Sequence, residues 1–440
     1  MSLAPLASAM VCAGCGASPG ADAALPFRCP NADAGDDVDH VLAWVGDDDP
    51  AALAAALADP EPCPFVRFRA AMHSHRLARR RGMADADYVA LVRRLDAAIA
   101  EVDGQGFRTT PYRRADALGA WIKDETGNVG GSHKARHLMG IALHLAVVEA
   151  LGLADLRGRD LAIASCGNAA LAAAVVARAA GRRLRVFVPP SAKPSVVQRL
   201  DALGALREVC ERAPGDPPGD PCYRRFRAAV DQGALPFSCQ GPDNGLTLQG
   251  GHTLAWELVA QHAALGAPPL TCLFIQVGGG ALASSVVQGL ARLQRAGLLP
   301  ALPRLFAVQT AAAHPLARAF AAASARAAVD GDDAAIAHAR RHRAECMVPW
   351  PEEPRSVAAG ILDDETYDWA AIVEHLLRAG GDVVLADEAT LLRAEGLAEA
   401  AGVRTDPTGA AGLAGALTLR ARGLLPAEAA VALLLTGARR

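Results

Sequence analysis

One lysine stands where its amine could do covalent chemistry. It lies in the run Lys123-Asp-Glu-Thr-Gly-Asn-Val-Gly-Gly-Ser-His-Lys134-Ala-Arg136. An apolar stretch ends there, a Gly-rich turn follows, and a helix is predicted to open near Ser132. The Lys134 amine then sits at a helix entrance beside unpaired backbone N–H groups, which hold phosphate readily. An amine that can condense with an aldehyde, next to an anion site, suits a phosphate-bearing aldehyde cofactor. The same residues also describe a surface lysine opening a helix, because one Gly-rich turn is a weak signal.

Two further turns and a strand end carry polar groups. Ser165-Cys166-Gly167-Asn168 follows the apolar run Leu161–Ala164 and precedes a helix predicted over Ala169–Ala180. Open α/β sheets bind ligands at such strand ends. The Asn168 amide can hydrogen-bond a phenolic oxygen and the backbone N–H groups a carboxylate, although Asn168 also suits a plain helix cap. Gly278-Gly279-Gly280 joins the strand Leu273–Val277 to a helix around Ala283–Leu293. Three glycines let backbone N–H groups wrap an anion. No Gly-Lys-Ser/Thr follows, and the third glycine of a dinucleotide loop is missing, so neither of those sites fits. A tight turn is the other reading. Thr436 closes the last strand, Val431–Leu435, where a hydroxyl is also a common local backbone partner.

The elements around these turns alternate. Leu161–Ala164, a helix ended by Gly181, and Leu184–Val188 make a βαβ unit, which implies a parallel sheet with right-handed crossovers. A second unit runs through a helix over Val196–Leu203, stopped by Gly204. Spacing from Phe65 to Asp103 is helical, and Thr110-Pro111 marks an extended entry. Residues 214–222 read as a surface loop, 317–345 as one or two surface helices. No short-period repeat is present.

Composition narrows the class. With 440 residues, 52% hydrophobic, the chain can fill two sizeable cores, though much of that fraction is Ala. A net charge of −3 gives no basic stripe for nucleic acid, and 4% aromatic residues offer few stacking platforms. No apolar run reaches the roughly 18–20 residues of a membrane span. Met1 to Val11 lacks the basic start and long apolar core of a secretory signal. Ten scattered cysteines do not form a disulfide framework, so a cytoplasmic location is expected. Residues 1–60 differ from the rest. Cys12-Ala-Gly-Cys15-Gly resembles a zinc knuckle and Phe27-Arg-Cys29-Pro continues it. A closed site wants four ligands, which Asp39 or His40 would have to complete; the other reading is a metal-free, degenerate zinc ribbon. Acidic turns (Asp47-Asp-Asp-Pro50), a short Ala-rich helix and a linker at Pro60–Pro64 follow.

The order of these motifs resembles the fold-type II pyridoxal-phosphate family: tryptophan synthase β-like enzymes, threonine synthase and serine/threonine ammonia-lyases. The lysine motif comes first, then Gly167-Asn168, Val188-Pro189 with Gly204-Ala205, and Gly278–Gly280. Asp406-Pro-Thr-Gly-Ala-Ala-Gly-Leu413 and Leu435-Thr436-Gly437 complete the series, and the likeness covers roughly residues 65–440. It implies an α/β fold of two open, mostly parallel sheets flanked by helices, with a small Cys-containing N-terminal extension over 1–60. A large cofactor-binding domain is expected over 61–154 and 241–440, and a small α/β domain over 155–240.

The resemblance implies that Lys134 holds the cofactor as an imine and moves protons. Asn168 would bond its phenolic oxygen, Gly278, Gly279, Gly280 and Ala281 its phosphate, and Thr436 its ring nitrogen. Ser132, His133, Ser165, Cys166 and Gly167 would meet the substrate. A neutral Thr436 hydroxyl leaves the ring a weaker electron sink than a carboxylate would, which favours prompt loss of a β-substituent. This sequence departs from the family motif at His133, where an aromatic residue is usual, and at Val129-Gly130, where the family has Pro-Thr. An imidazole there could act as a second acid or base, or simply pack.

Reaction signals conflict. The Cys-rich start, Phe65–Arg69 and Thr110-Pro111 resemble threonine synthases, whereas Ser356-Val-Ala-Ala-Gly360-Ile361 resembles ammonia-lyases. The expectation is β-elimination from a small hydroxy- or amino-substituted amino acid, giving a 2-oxo acid and ammonia. Threonine-synthase-like action on phosphohomoserine, β-replacement, and a cofactor-free scaffold or binding module are the alternatives. A homodimer is what the family implies.

Overall fold

The computed structural model describes residues 10–46, 48–213, 215–216, 219–351 and 353–439. Residues 1–9, Asp47 of the acidic turn, and Pro214, Pro217 and Pro218 of the expected surface loop lie outside the described residues. Two mostly parallel sheets organise the chain. The larger has six strands in the order Gly381–Ala386, Arg304–Thr310, Cys272–Gln276, Val431–Leu435, Ala120–Asp124 and Tyr112–Ala115. All its pairings are parallel except the last. The smaller sheet orders Leu206–Val209, Leu184–Val188, Leu161–Ala164 and Leu235–Pro236, all parallel. Strands such as Cys272–Gln276 and Val431–Leu435 are buried at every residue. Helices on both faces demand this, and it explains their continuous apolar runs.

A separate antiparallel ribbon pairs Met10–Cys12 with Leu42–Trp44. Among the described residues no helix is long and apolar enough to cross a membrane.

Several local expectations shift for physical reasons. The critical helix begins at Lys134 (Lys134–Ala150), not Ser132, because Ser132 is fully extended. Val129–Gly131 makes a 3-10 turn in which Gly130 and Gly131 have positive φ, 64° and 70°, a conformation side chains avoid. Within the linker, Pro64 opens a short helix, its fixed φ suiting the first turn. Residues 317–345 form parts of three helices, with Ala319, Ala323, Ala335 and Ala339 buried, so only their outer faces are surface. Asp48, read as part of an acidic turn, is buried between Arg76 (2.8 Å) and Arg292 (2.6 Å).

Candidate active site

The fold draws two of the turns and the strand end singled out by sequence to one place. Ala438 donates its N–H to the Gly131 carbonyl at 2.7 Å, and Glu125 donates to Leu435 at 2.8 Å. The lysine turn is thereby stitched to the end of the last strand. Thr436 Oγ1 accepts the His133 backbone N–H at 3.1 Å and lies 3.0 Å from His133 Nδ1. Gly437 comes so close to Asn168 that a Cβ there would stand 3.3 Å from its side-chain nitrogen. Asn168 opens the helix Asn168–Ala179, where Gly167 N–H donates to Ser165 Oγ at 3.4 Å and Cys166 is exposed.

Lys134 and Arg136 leave the same helix on different faces, as residues two apart must. Arg136 enters a wholly buried network. It bonds Glu125 at 2.8 and 2.9 Å and Glu257 at 2.7 and 3.0 Å. Lys123 Nζ donates to Glu257 (2.7 Å), Gln261 (2.7 Å) and the Thr110 carbonyl (2.8 Å). Asn128 donates to Glu125 and to the Ser132 carbonyl, both at 3.1 Å, and so braces the turn. Two cations thus meet two carboxylates. Despite burial, Arg136 and Lys123 hold the Glu257 carboxyl down at about 2.

Lys134 meets the opposite situation. Among the described residues no ion pair claims its amine, yet its charge is felt by Asp363, Asp368 and Cys239. Burial pushes the Asp363 carboxyl up to about 6, with Lys134 and the Gly279 amide pulling the other way. Asp368, 3% exposed, is pushed up by burial to about 7 although it accepts the Gly241 N–H at 3.1 and 3.2 Å. The sequence reading missed both acids. Their only signal is the density of acids and aromatics in Asp363-Asp-Glu-Thr-Tyr-Asp-Trp369, directly after the Ser356–Ile361 segment.

The same segment covers the triple glycine. A Cβ at Gly278 would stand 2.2 Å from Asp363 Oδ2, at Gly279 3.0 Å from the Tyr367 ring, and at Gly280 2.8 Å from the Thr366 methyl. Gly280 has φ 93° and caps the buried start of the helix Ala281–Arg295. Gly278 and Gly280 therefore require glycine, and Gly279 leaves a side chain little room. A phosphate ester suits a turn of this kind, where backbone N–H groups lead into a helix N-terminus; here the Gly279 N–H is held by the Asp363 carboxyl, whose place such an ester would take.

His133 and His137 stay neutral. Burial lowers His133 well below its ordinary range and His137 to about 3, and Lys134 adds to both. Neither Nε2 has a hydrogen-bond partner among the described residues.

Residues 104–437 match the family model described as pyridoxal-phosphate dependent enzyme. The chain belongs to that family, in its fold-type II branch, and is related to serine/threonine dehydratases. The L-serine dehydratase of Saccharomyces cerevisiae (strain YJM789) is 28% identical over 198 residues, which cover 43% of this chain and 55% of that protein. The chain thus spans about half the length of the curated relatives it matches. Maize serine racemase superposes with a TM-score of 0.58 at 19% identity, covering 80% of this chain and 93% of that one. The T.th. threonine deaminase does so at 0.57 and 24% identity, covering 79% and 98%. At these identities the structures establish the fold alone.

Proposed function

We propose that this chain is a lyase that removes the β-substituent of a small hydroxy- or amino-substituted amino acid, yielding a 2-oxo acid and ammonia. One observation carries the reading. Lys134, whose amine no ion pair claims among the described residues, opens its helix beside Thr436 and the Gly437–Asn168 contact, and its charge acts on Asp363 and Asp368, two carboxyl groups that burial raises to about 6 and about 7.

Lys134, Asn168, Thr436 and Gly278–Ala281 would hold pyridoxal phosphate, which when bound would supply the electron sink that makes the substrate α-hydrogen acidic. Lys134 Nζ, freed when the substrate amine takes its place, removes that hydrogen as a proton. Asp363 or Asp368, still protonated, gives its proton to the departing hydroxyl or amine. Backbone N–H groups of Ser165–Gly167 hold the substrate carboxylate. His133, kept neutral, fixes the Thr436 hydroxyl rather than titrating. The acidic lining favours a β-substituent that departs as water or ammonia over one bearing phosphate. The enamine, once released, hydrolyses in water to the 2-oxo acid and ammonia.

The test is a side-by-side assay. 2-Oxo acid release is measured with serine, threonine and 2,3-diaminopropionate, and phosphate release with phosphohomoserine. Release of 2-oxo acid that disappears in Lys134→Ala is expected. Phosphate release alone would move the chain to the threonine-synthase-like reaction.

A further inference from the structure

Far from Lys134 in sequence, the N-terminal ribbon gathers four soft ligands. The sulfurs of Cys12, Cys15 and Cys29 and a ring nitrogen of His40 all lie within 4.8 Å of one another. Cys15 Sγ is 3.5 Å from Cys29 Sγ, and Cys12 Sγ is 3.6 Å from His40 Nδ1. A tetrahedron with zinc–sulfur bonds of about 2.3 Å has edges of about 3.8 Å, so these separations leave room for one ion at the centre. The thiols are free and too far apart to be a disulfide.

The surroundings are those of a metal site rather than of packed thiols. The Cys15 N–H points at Cys12 Sγ (3.4 Å) and the Asn31 N–H at Cys29 Sγ (3.3 Å). Amide donors of this kind stabilise thiolates. With Nδ1 turned to the sulfurs, His40 places Nε2 2.9 Å from Asp36 Oδ1. A carboxylate on the far nitrogen fixes the tautomer and ring orientation of a metal-bound histidine. That arrangement excludes Asp39 as the fourth ligand, since its carboxylate pairs with Arg343 at 3.4 Å.

Met10, Phe27, Leu42 and Trp44 pack the ribbon into the main core, but its backbone pairing is slight. Its two strands have three residues each, and a hairpin that small is marginal in water. It touches three of the elements around the candidate site. His144, on the Lys134 helix, contacts the Ala24 carbonyl at 2.7 Å. Gly245 N–H donates to the Phe27 carbonyl at 2.8 Å. Val41 packs on Gly241, the glycine whose N–H holds Asp368.

We propose that Cys12, Cys15, Cys29 and His40 form a closed structural zinc site, and that the ion staples residues 10–44 as a strap across the Lys134 helix and the Gly241–Asp368 contact. Binding exchanges the three thiol protons for one Zn²⁺. The ion would sit there whichever reaction the enzyme catalyses.

Elemental analysis of the full chain, grown with added zinc, decides the first half. One zinc per chain is expected, whether or not pyridoxal phosphate is loaded, and a Cys15→Ser, Cys29→Ser double variant should lose it. Cobalt exchange should give the visible bands of a tetrahedral thiolate complex in the wild type. Less than about a tenth of a zinc per chain, or iron in its place, overturns the site even if the variant fails to fold. Hydrogen exchange before and after chelation decides the second half. Faster exchange confined to residues 10–44 and their contacts at 144, 241 and 245 is expected, and an unchanged pattern overturns the strap.

Discussion

Arg136 and Lys134 stand two residues apart on one helix and meet opposite electrical environments. Around Arg136 every buried charge has a partner, and two cations balance Glu125 and Glu257. Asp363 and Asp368 feel the charge of Lys134, an amine that no ion pair claims among the described residues. The balanced network keeps Glu257 ionised and holds a turn in place. An unbalanced one moves carboxyl pKa values toward neutrality, as the proposed acid role requires. The first region positions the second.

Breaking the balanced side should have the largest effect on folding. Arg136→Met leaves Glu125 without its cation and Glu257 with Lys123 alone, and should cost about 3–5 kcal/mol in denaturant unfolding. A loss below about 1 kcal/mol would show that the network is not what holds the turn. Lys134→Ala should do the reverse. Activity and the visible absorbance of bound cofactor should vanish while the unfolding midpoint stays near that of the wild type.

Neutralising the unbalanced side should separate acid from scaffold. Asp363→Asn and Asp368→Asn should each lower kcat, by about 10²-fold where the residue is the proton donor, without lowering stability. Equal and small losses from both would remove the carboxyl groups from the chemistry. The pH dependence follows from the sign of the shifts. Both groups titrate near 4 in an unfolded chain and at about 6 and about 7 when folded. The folded state therefore holds protons that the unfolded chain has released. The stability these acids contribute is complete below about 4 and is lost as pH rises to about 7. Chemical denaturation of Asp368→Asn should show a flatter profile over that window.

The smallest effect concerns the cradle. Asp363 lies against Gly278, so once ionised it repels a phosphate there. Asp363→Asn should tighten cofactor binding several-fold at pH 8 and little at pH 5.5, read by absorbance titration. Equal tightening at both pH values would place the carboxylate away from the phosphate.

Much of this site is legible in the residues. Lys134, the three glycines and the Ser165–Asn168 turn each interrupt a strand-to-helix transition, and such interruptions leave a local signature of Gly, Ser and Asn. Asp363 and Asp368 leave only a dense run of acids and aromatics, which reads as solvated loop until something buries it. Glu257 is equally silent, since it meets Arg136 from a helix more than a hundred residues away. His133 could be flagged from sequence, but not its neutrality.

Local pattern was enough to determine the alternation of strands and helices, the lysine motif and the cysteine knuckle, because backbone conformation and hydrophobic periodicity are set by near neighbours. Only the tertiary structure decided which carboxylates are paired and which face Lys134, and that His40 rather than Asp39 joins the cysteines. Charge pairing and desolvation depend on groups brought together across the whole chain, and no spacing along it records them.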